Sequence, residues 1–107
     1  MQDVICQAIR EQRLLTVHQQ KGDRMLERVV EPYALYPTAT DELMLESRLV
    51  EGDFVTTPPP RWCPLPLHEI TGVTLRNEEF TPDPTYNHLS LRYQRAICRL
   101  TPNLVRN

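Results

Sequence analysis

Glycine is scarce: the 107 residues hold three, Gly22, Gly52 and Gly72, and none stands at the spacing of a phosphate-cradling loop. A G-x-G-x-x-G fingerprint or a P-loop is therefore excluded. Cysteine is as sparse. Cys6, Cys63 and Cys98 lie far apart, form no CxxC pair and are odd in number, which suggests neither a zinc knuckle nor a disulfide framework. The expectation is three reduced thiols, with Cys6 and Cys98 buried as small apolar side chains. His18, His68 and His88 are widely separated and carry no HExxH spacing, and there is no nucleophile elbow. Cys63 stands five residues before His68, but the intervening Pro64 and Pro66 stiffen the stretch without orienting it as a nucleophile and base require. No catalytic residue, metal or cofactor is expected. Long apolar runs are also missing, so no membrane-spanning helix and no membrane partner are expected. The opening Met1-Gln2-Asp3-Val4 lacks a basic segment leading into an apolar one. That argues against a secretory signal and makes the cytoplasm the expected location.

What is present is ordinary globular composition, 40% hydrophobic and 24% charged, in a chain long enough for one core. The net charge of -2 hides an asymmetry. Residues 1–80 carry eight basic against thirteen acidic side chains, a balance of -5, whereas residues 81–107 carry Arg92, Arg95, Arg99 and Arg106 against Asp83 alone, a balance of +3. Such a field attracts an acidic partner or docks the tail on its own body.

The hydrophobic period changes along the chain. Val4, Ile5, Ala8 and Ile9 share one helical face, with Asp3 as N-cap and an end near Gln12 or Arg13. From Leu14 the period drops towards two: Leu15 and Val17 alternate with Thr16 and His18, Gln20 to Asp23 offers a turn, and Arg24 to Val30 completes a hairpin. Glu31-Pro32 demands a kink, a bulge or an edge, and Tyr33 to Tyr36 follows as a third short strand. Leu43, Leu45, Ser47 and Leu49 alternate most clearly, and Gly52-Asp53 turns that strand. Thr56 to Pro60 reads as an exposed extended loop. Leu67 to Leu75 supplies a last strand with Gly72 as a possible bulge. In the tail, Tyr86, Leu89, Tyr93, Ala96, Ile97 and Leu100 match one helical face and predict a C-terminal helix, with Arg92, Arg95 and Arg99 as a stripe on another face. Leu89, Leu91 and Tyr93 alone also fit a strand. Closely spaced strands without room for crossover helices point to a small barrel or sandwich.

The order of segments resembles a WYL domain. ICQAIREQRLLTV (Ile5 to Val17), a basic hairpin and VEPYALY (Val30 to Tyr36) are similar to that family's opening half. Where the family has Trp-Tyr-Leu, this chain has Leu43-Met44-Leu45 or Glu42-Leu43-Met44, without the aromatic pair. Where the family has Arg-x-Phe-Arg-Leu-Asp-Arg-Ile, this chain runs from Cys63 to Ile70, with Leu67 and Ile70 matching and Cys63, Pro66 and Glu69 replacing arginines. Gly72 to Phe80 resembles the closing strand. The resemblance spans residues 3–80. It implies a mainly β fold, an SH3/Sm-like five-stranded barrel with an N-terminal helix, as a domain over residues 1–80. Residues 81–107 are then a basic helical segment packed on the barrel or on a second protomer. It further implies a non-enzymatic ligand- or nucleic-acid-sensing regulatory module of bacterial transcription regulation or defence, here expected to stand alone.

The candidate binding residues are His18, Arg24, Arg28, Tyr33 and Arg48. Arg24 and Arg28, four apart on a strand, share a face and with Arg48 make a cationic patch for phosphate or carboxylate oxygens, although Glu27, Glu31 and Glu46 stand near enough to neutralise it. An imidazole such as His18 contacts anions, yet a half-exposed strand histidine is the plainer role. Of Tyr33 and Tyr36, one is expected in the core and the other free to stack on a ring. Trp62 either anchors its proline-flanked loop or forms a recognition surface. Arg92, Arg95 and Arg99 either form a solvated face or contact an acidic partner. The partners expected are a nucleotide, an oligonucleotide or an acidic protein segment, together with further copies of this chain in a homo-oligomer. The alternative is a structural barrel that self-associates or docks on a larger protein.

Overall fold

The computed structural model describes residues 1–102; Arg106, counted above in the basic tail, lies outside them. Helix α1 (Gln2–Glu11) is capped by Met1 rather than Asp3, which sits in the first turn, and it ends at a left-handed Gln12. Ile5, Cys6, Ala8 and Ile9 are buried, as the 3.6-residue period predicts. The strands are β1 (Arg13–Lys21), β2 (Arg24–Pro37), β3 (Leu43–Gly52), β4 (Arg61–Trp62), β5 (Leu65–Pro66), β6 (Ile70–Glu79) and β7 (Cys98–Arg99). A 3-10 turn at Leu67–Glu69 occupies the start of the segment expected to be the last strand.

All pairings are antiparallel, in the order β4-β3-β2-β1-β6, with β5 also on β3 and β7 on β2. The fold is mainly β, an open antiparallel sheet with α1 packed against it. Opposed residues project to the same face, so the rungs Leu15–Val30, Val17–Arg28 and Gln19–Leu26 bury one side of the hairpin. Leu15, Val17, Val30, Leu35, Leu45 and Leu49 are shielded with Ile5 and Ile9 in one core, each contributing about 1.5–3 kcal/mol.

Turns follow their residues. Gly22 takes a left-handed φ of 63° between β1 and β2. Gly52, at φ 108°, closes β3 against β2: a Cβ there would lie 2.5 Å from the Glu27 carbonyl oxygen, and Asp53 Oδ2 accepts the Glu27 N–H at 2.9 Å. Proline 32 does not end the second strand. The β2–β3 register slips between Pro32 and Ala34, so the missing donor falls at a bulge and Tyr33 to Tyr36 continues β2. Of the two slips in β1–β6, one lies between Arg13 and Leu15 and the other between the His18–Gly72 and Gln19–Ile70 pairs, beside the expected glycine.

Two further expectations are overturned. Cys6 and Cys98 are not reduced thiols: they form a disulfide, with Cα atoms 5.7 Å apart, and Cys63 alone is free and buried. The tail, in turn, is not a helix. Beyond Val30, β2 has lost β1 as neighbour and would present an open edge. The tail fills it: Ile97 donates to the Leu35 carbonyl at 2.8 Å, Leu100 donates to the Tyr33 carbonyl at 2.7 Å, and β7 pairs with Ala34 and Leu35. Only Leu91–Tyr93 keeps a single 3-10 turn. The apparent helical face splits, with Tyr93 and Leu100 buried while Leu89 and Ile97 are exposed.

Candidate ligand-binding cleft

The five residues expected to bind do not share a surface. His18 alternates with buried Val17 and Gln19 and so points away from Arg28, its Nδ1 3.9 Å from Glu27. Arg24 is exposed at the hairpin end. Arg28 is buried: its Nη1 donates to Cys63 Sγ at 2.8 Å, and its Nε has no partner among the described residues. Tyr33 is fully buried. Its hydroxyl donates to Glu31 at 2.7 Å and accepts the Asp83 N–H at 2.9 Å. Arg48 Nε lies 3.2 Å from Asp83 and its Nη1 3.8 Å from Glu31. Tyr33 and Arg48 therefore anchor the tail rather than face a ligand.

The tail arginines also divide. Arg92 Nη1 reaches Glu46 at 3.4 Å, Arg95 reaches Asp41 at 3.0 Å, and Arg99 donates to the Tyr93 carbonyl at 3.3 Å. Arg92 and Arg95 thus pair with carboxylates of the body, as a tail docking on its own body does, while Arg99 bonds within the tail.

That docking makes a cleft of about 460 Å³ between the sheet and the tail. Tyr36 from β2 and Glu46 from β3 form its floor, Trp62 from β4 one wall, and Tyr86, Arg92 and Tyr93 the other. The geometry follows from the anchors. Ser47 and Cys63 exchange backbone and side-chain hydrogen bonds (Cys63 N to Ser47 O at 2.8 Å, Ser47 Oγ to Cys63 O at 2.7 Å) and so set Trp62 on the rim. Trp62 Nε1 then donates to Thr85 Oγ1 at 3.2 Å, and Tyr86 Oη donates to the Leu100 carbonyl at 2.7 Å. Trp62 thus both anchors its loop and forms surface.

The rings run as one array. Tyr33 lies 4.9 Å from Trp62 and 4.7 Å from Tyr86; Tyr86 lies 5.8 Å from Tyr93, which lies 5.3 Å from Tyr36. Such tilted and edge-on pairs are rigid as well as apolar. Comparison with protein-family models, curated proteins and solved structures finds no match to this chain. Function therefore rests on the cleft itself.

Glu46 is its chemical centre. The residue is 6% exposed, and burial pushes its carboxyl above the ordinary glutamate value, Arg92 opposing. Tyr36 Oη and Arg92 Nη1 both donate to Oε1, each at 3.4 Å; among the described residues nothing donates to Oε2. Burial, then the charge of Glu46, raises the Tyr93 phenol to about 12, and burial also raises those of Tyr36 and Tyr86. The phenols stay neutral at ordinary pH. Cys63, five residues before His68 in the sequence, meets Arg28, while His68 lies 3.9 Å from Glu42. Among the described residues no three His, Cys, Asp or Glu side chains gather as a metal site would need.

The sequence pointed to this place only in pieces. Tyr86 and Tyr93 share one spacing, one of Tyr33 and Tyr36 is a ring free to stack without the sequence saying which, and Trp62 is either loop anchor or recognition surface. Glu46 was read only as a neutraliser of arginines.

Proposed function

We propose that this chain is a non-enzymatic ligand-sensing regulatory module of the WYL type and that its ligand enters the cleft between β2, β3 and the tail. The observation that carries this is a half-open cavity lined by a buried carboxylate and four aromatic rings. A few fixed polar groups among aromatic walls are the usual composition of a small-ligand site. The short antiparallel strands, the opening helix and the Pro-Tyr-x-Leu segment inside β2 support the WYL-type reading, with an SH3/Sm-like barrel as the ancestral form of the open sheet. Regulation of transcription or defence is the role such a module serves.

Ligand titrations read by Trp62 emission test it, because the indole lies on the cleft rim and is the chain's one tryptophan. Saturable change on adding a small ligand, lost in Tyr93→Ala, supports the proposal. Emission that no nucleotide, oligonucleotide, acidic peptide or amine alters would remove it. A second reading, self-association or docking on a larger protein, is favoured by Leu89, Leu91 and Ile97, which the tail leaves exposed; a concentration-dependent mass in light scattering is its signature.

No helix among the described residues is long and apolar enough to cross a membrane. A reducing cytoplasm would hold Cys6 and Cys98 as thiols, whereas the bridge persists in oxidising surroundings. Trapping the thiols by alkylation in intact cells decides between them.

A further inference from the structure

The ligand of this cleft has a chemistry that its charge and geometry define. Two charged side chains line it, Glu46 and Arg92. Glu46 is fixed and buried, while the Arg92 side chain is 59% exposed and touches Glu46 through one 3.4 Å contact. A contact of that exposure is weak and readily exchanged. Both donors that reach Glu46 fall on Oε1, so Oε2 remains without a donor among the described residues. The Tyr93 face that Arg92 overlies carries the negative potential of its π system, and Tyr36, Tyr86 and Trp62 line the cleft around it. Carboxylate and ring faces together disfavour an anion and leave a neutral ring to ignore the charge beneath it. The chain's own arginine demonstrates the fit: its Cζ stands 5.9 Å from the Tyr93 centroid, at the mouth, with Glu46 below.

Resting on the reading of the cleft as a ligand site, we propose that it takes an organic cation, a guanidinium or alkylammonium head group, which displaces Arg92, binds Glu46 through Oε2 and lies against the tyrosine faces. Arg92 is then a competitor for the site and Glu46 its recognition group. Cations over aromatic faces gain further when desolvated.

This assignment gives Arg92 opposite effects for opposite ligands, and the test uses that sign. Ethylguanidinium, tetramethylammonium and adenosine monophosphate are titrated into the full chain, read by Trp62 emission and by amide chemical shifts. For the two cations, Arg92→Ala tightens binding by up to about fivefold, the equivalent of an exposed ion pair. Glu46→Gln, which keeps shape and the Tyr36 contact, weakens it about tenfold or more. A lysine-bearing peptide competing better than the free cations assigns the head group to a protein side chain; the reverse assigns it to a small molecule. Adenosine monophosphate binding at the cleft amides and weakened by Arg92→Ala overturns the cation assignment and leaves the cleft as a site. If none of the three moves Trp62 or the cleft amides, the cleft reading falls with it. Wild-type-like cation affinity in Glu46→Gln also overturns the assignment, since the variant is nearly isosteric.

Discussion

Reducing the Cys6–Cys98 bridge perturbs this fold at its most distant junction. The bridge joins positions 92 residues apart and ties α1 to the tail strand that covers the open half of β2. Chain-entropy closure of a loop that long restricts the unfolded state by about 4.6 kcal/mol at 25 °C. Against an ordinary domain stability of roughly 5–15 kcal/mol, that is about three-tenths or more of the whole. With a urea dependence near 1.5–2 kcal/mol/M for a chain this size, the denaturation midpoint falls by about 2–3 M. The assay is urea unfolding followed by Trp62 emission, with and without a phosphine reductant, and with Cys6→Ser/Cys98→Ser as a reductant-independent control. Thiol titration in denaturant accompanies it: one reactive thiol, Cys63, before reduction and three after. Three thiols in protein never exposed to reductant, or a midpoint unchanged by verified reduction, would refute the reasoning.

Substitutions at four further positions have expected outcomes. Gly52→Ala, forced to a φ of 108° with a Cβ 2.5 Å from the Glu27 carbonyl oxygen, costs at least about 2 kcal/mol. Gly22→Ala, with nothing within 4 Å, costs only about 1 kcal/mol, and equal urea midpoints for the two would contradict the close approach. Arg28→Met replaces a buried guanidinium that no carboxylate pairs with among the described residues, so stability is kept or raised by about 1–4 kcal/mol; a clear drop in midpoint would show that the Cys63 contact is worth more than the desolvation. Because burial raises the Glu46 carboxyl above 4.5, the folded protein retains a proton there that the unfolded chain has released. Its stability is fully present below that ordinary value and is lost as pH rises through the raised one. Glu46→Gln therefore matches wild type in acid and exceeds it at neutral pH, and parallel melting curves across the range would refute this.

Much of the fold was legible because local period and burial agree. The α1 face, the β1–β2 hairpin with its glycine turn and the alternation of β3 are each dictated by neighbours in sequence. The tail was not, because its decisive contacts are remote. Tyr86, Tyr93 and Leu100 fall on helical spacing, yet the need to satisfy the Tyr33 and Leu35 carbonyls at an abandoned strand edge is invisible locally. The disulfide escaped for the same reason: an odd cysteine count carries no pairing, and only the packing of α1 beside β7 brings Cys6 to Cys98. Among the candidate binding residues, the strand period put Arg24 and Arg28 on one face but could not say that this face is buried at Arg28 and exposed at Arg24. Glu46 looked like an outward-facing strand carboxylate until Tyr93 and Arg92 folded over it.

The most direct measurement is amide chemical-shift mapping of the oxidised full chain during titration with ethylguanidinium. Perturbations gathered on the Trp62 indole, Glu46 and the Tyr86–Tyr93 backbone are the predicted result. Shifts confined to the His18–Arg24 hairpin, or absent throughout, would contradict the account.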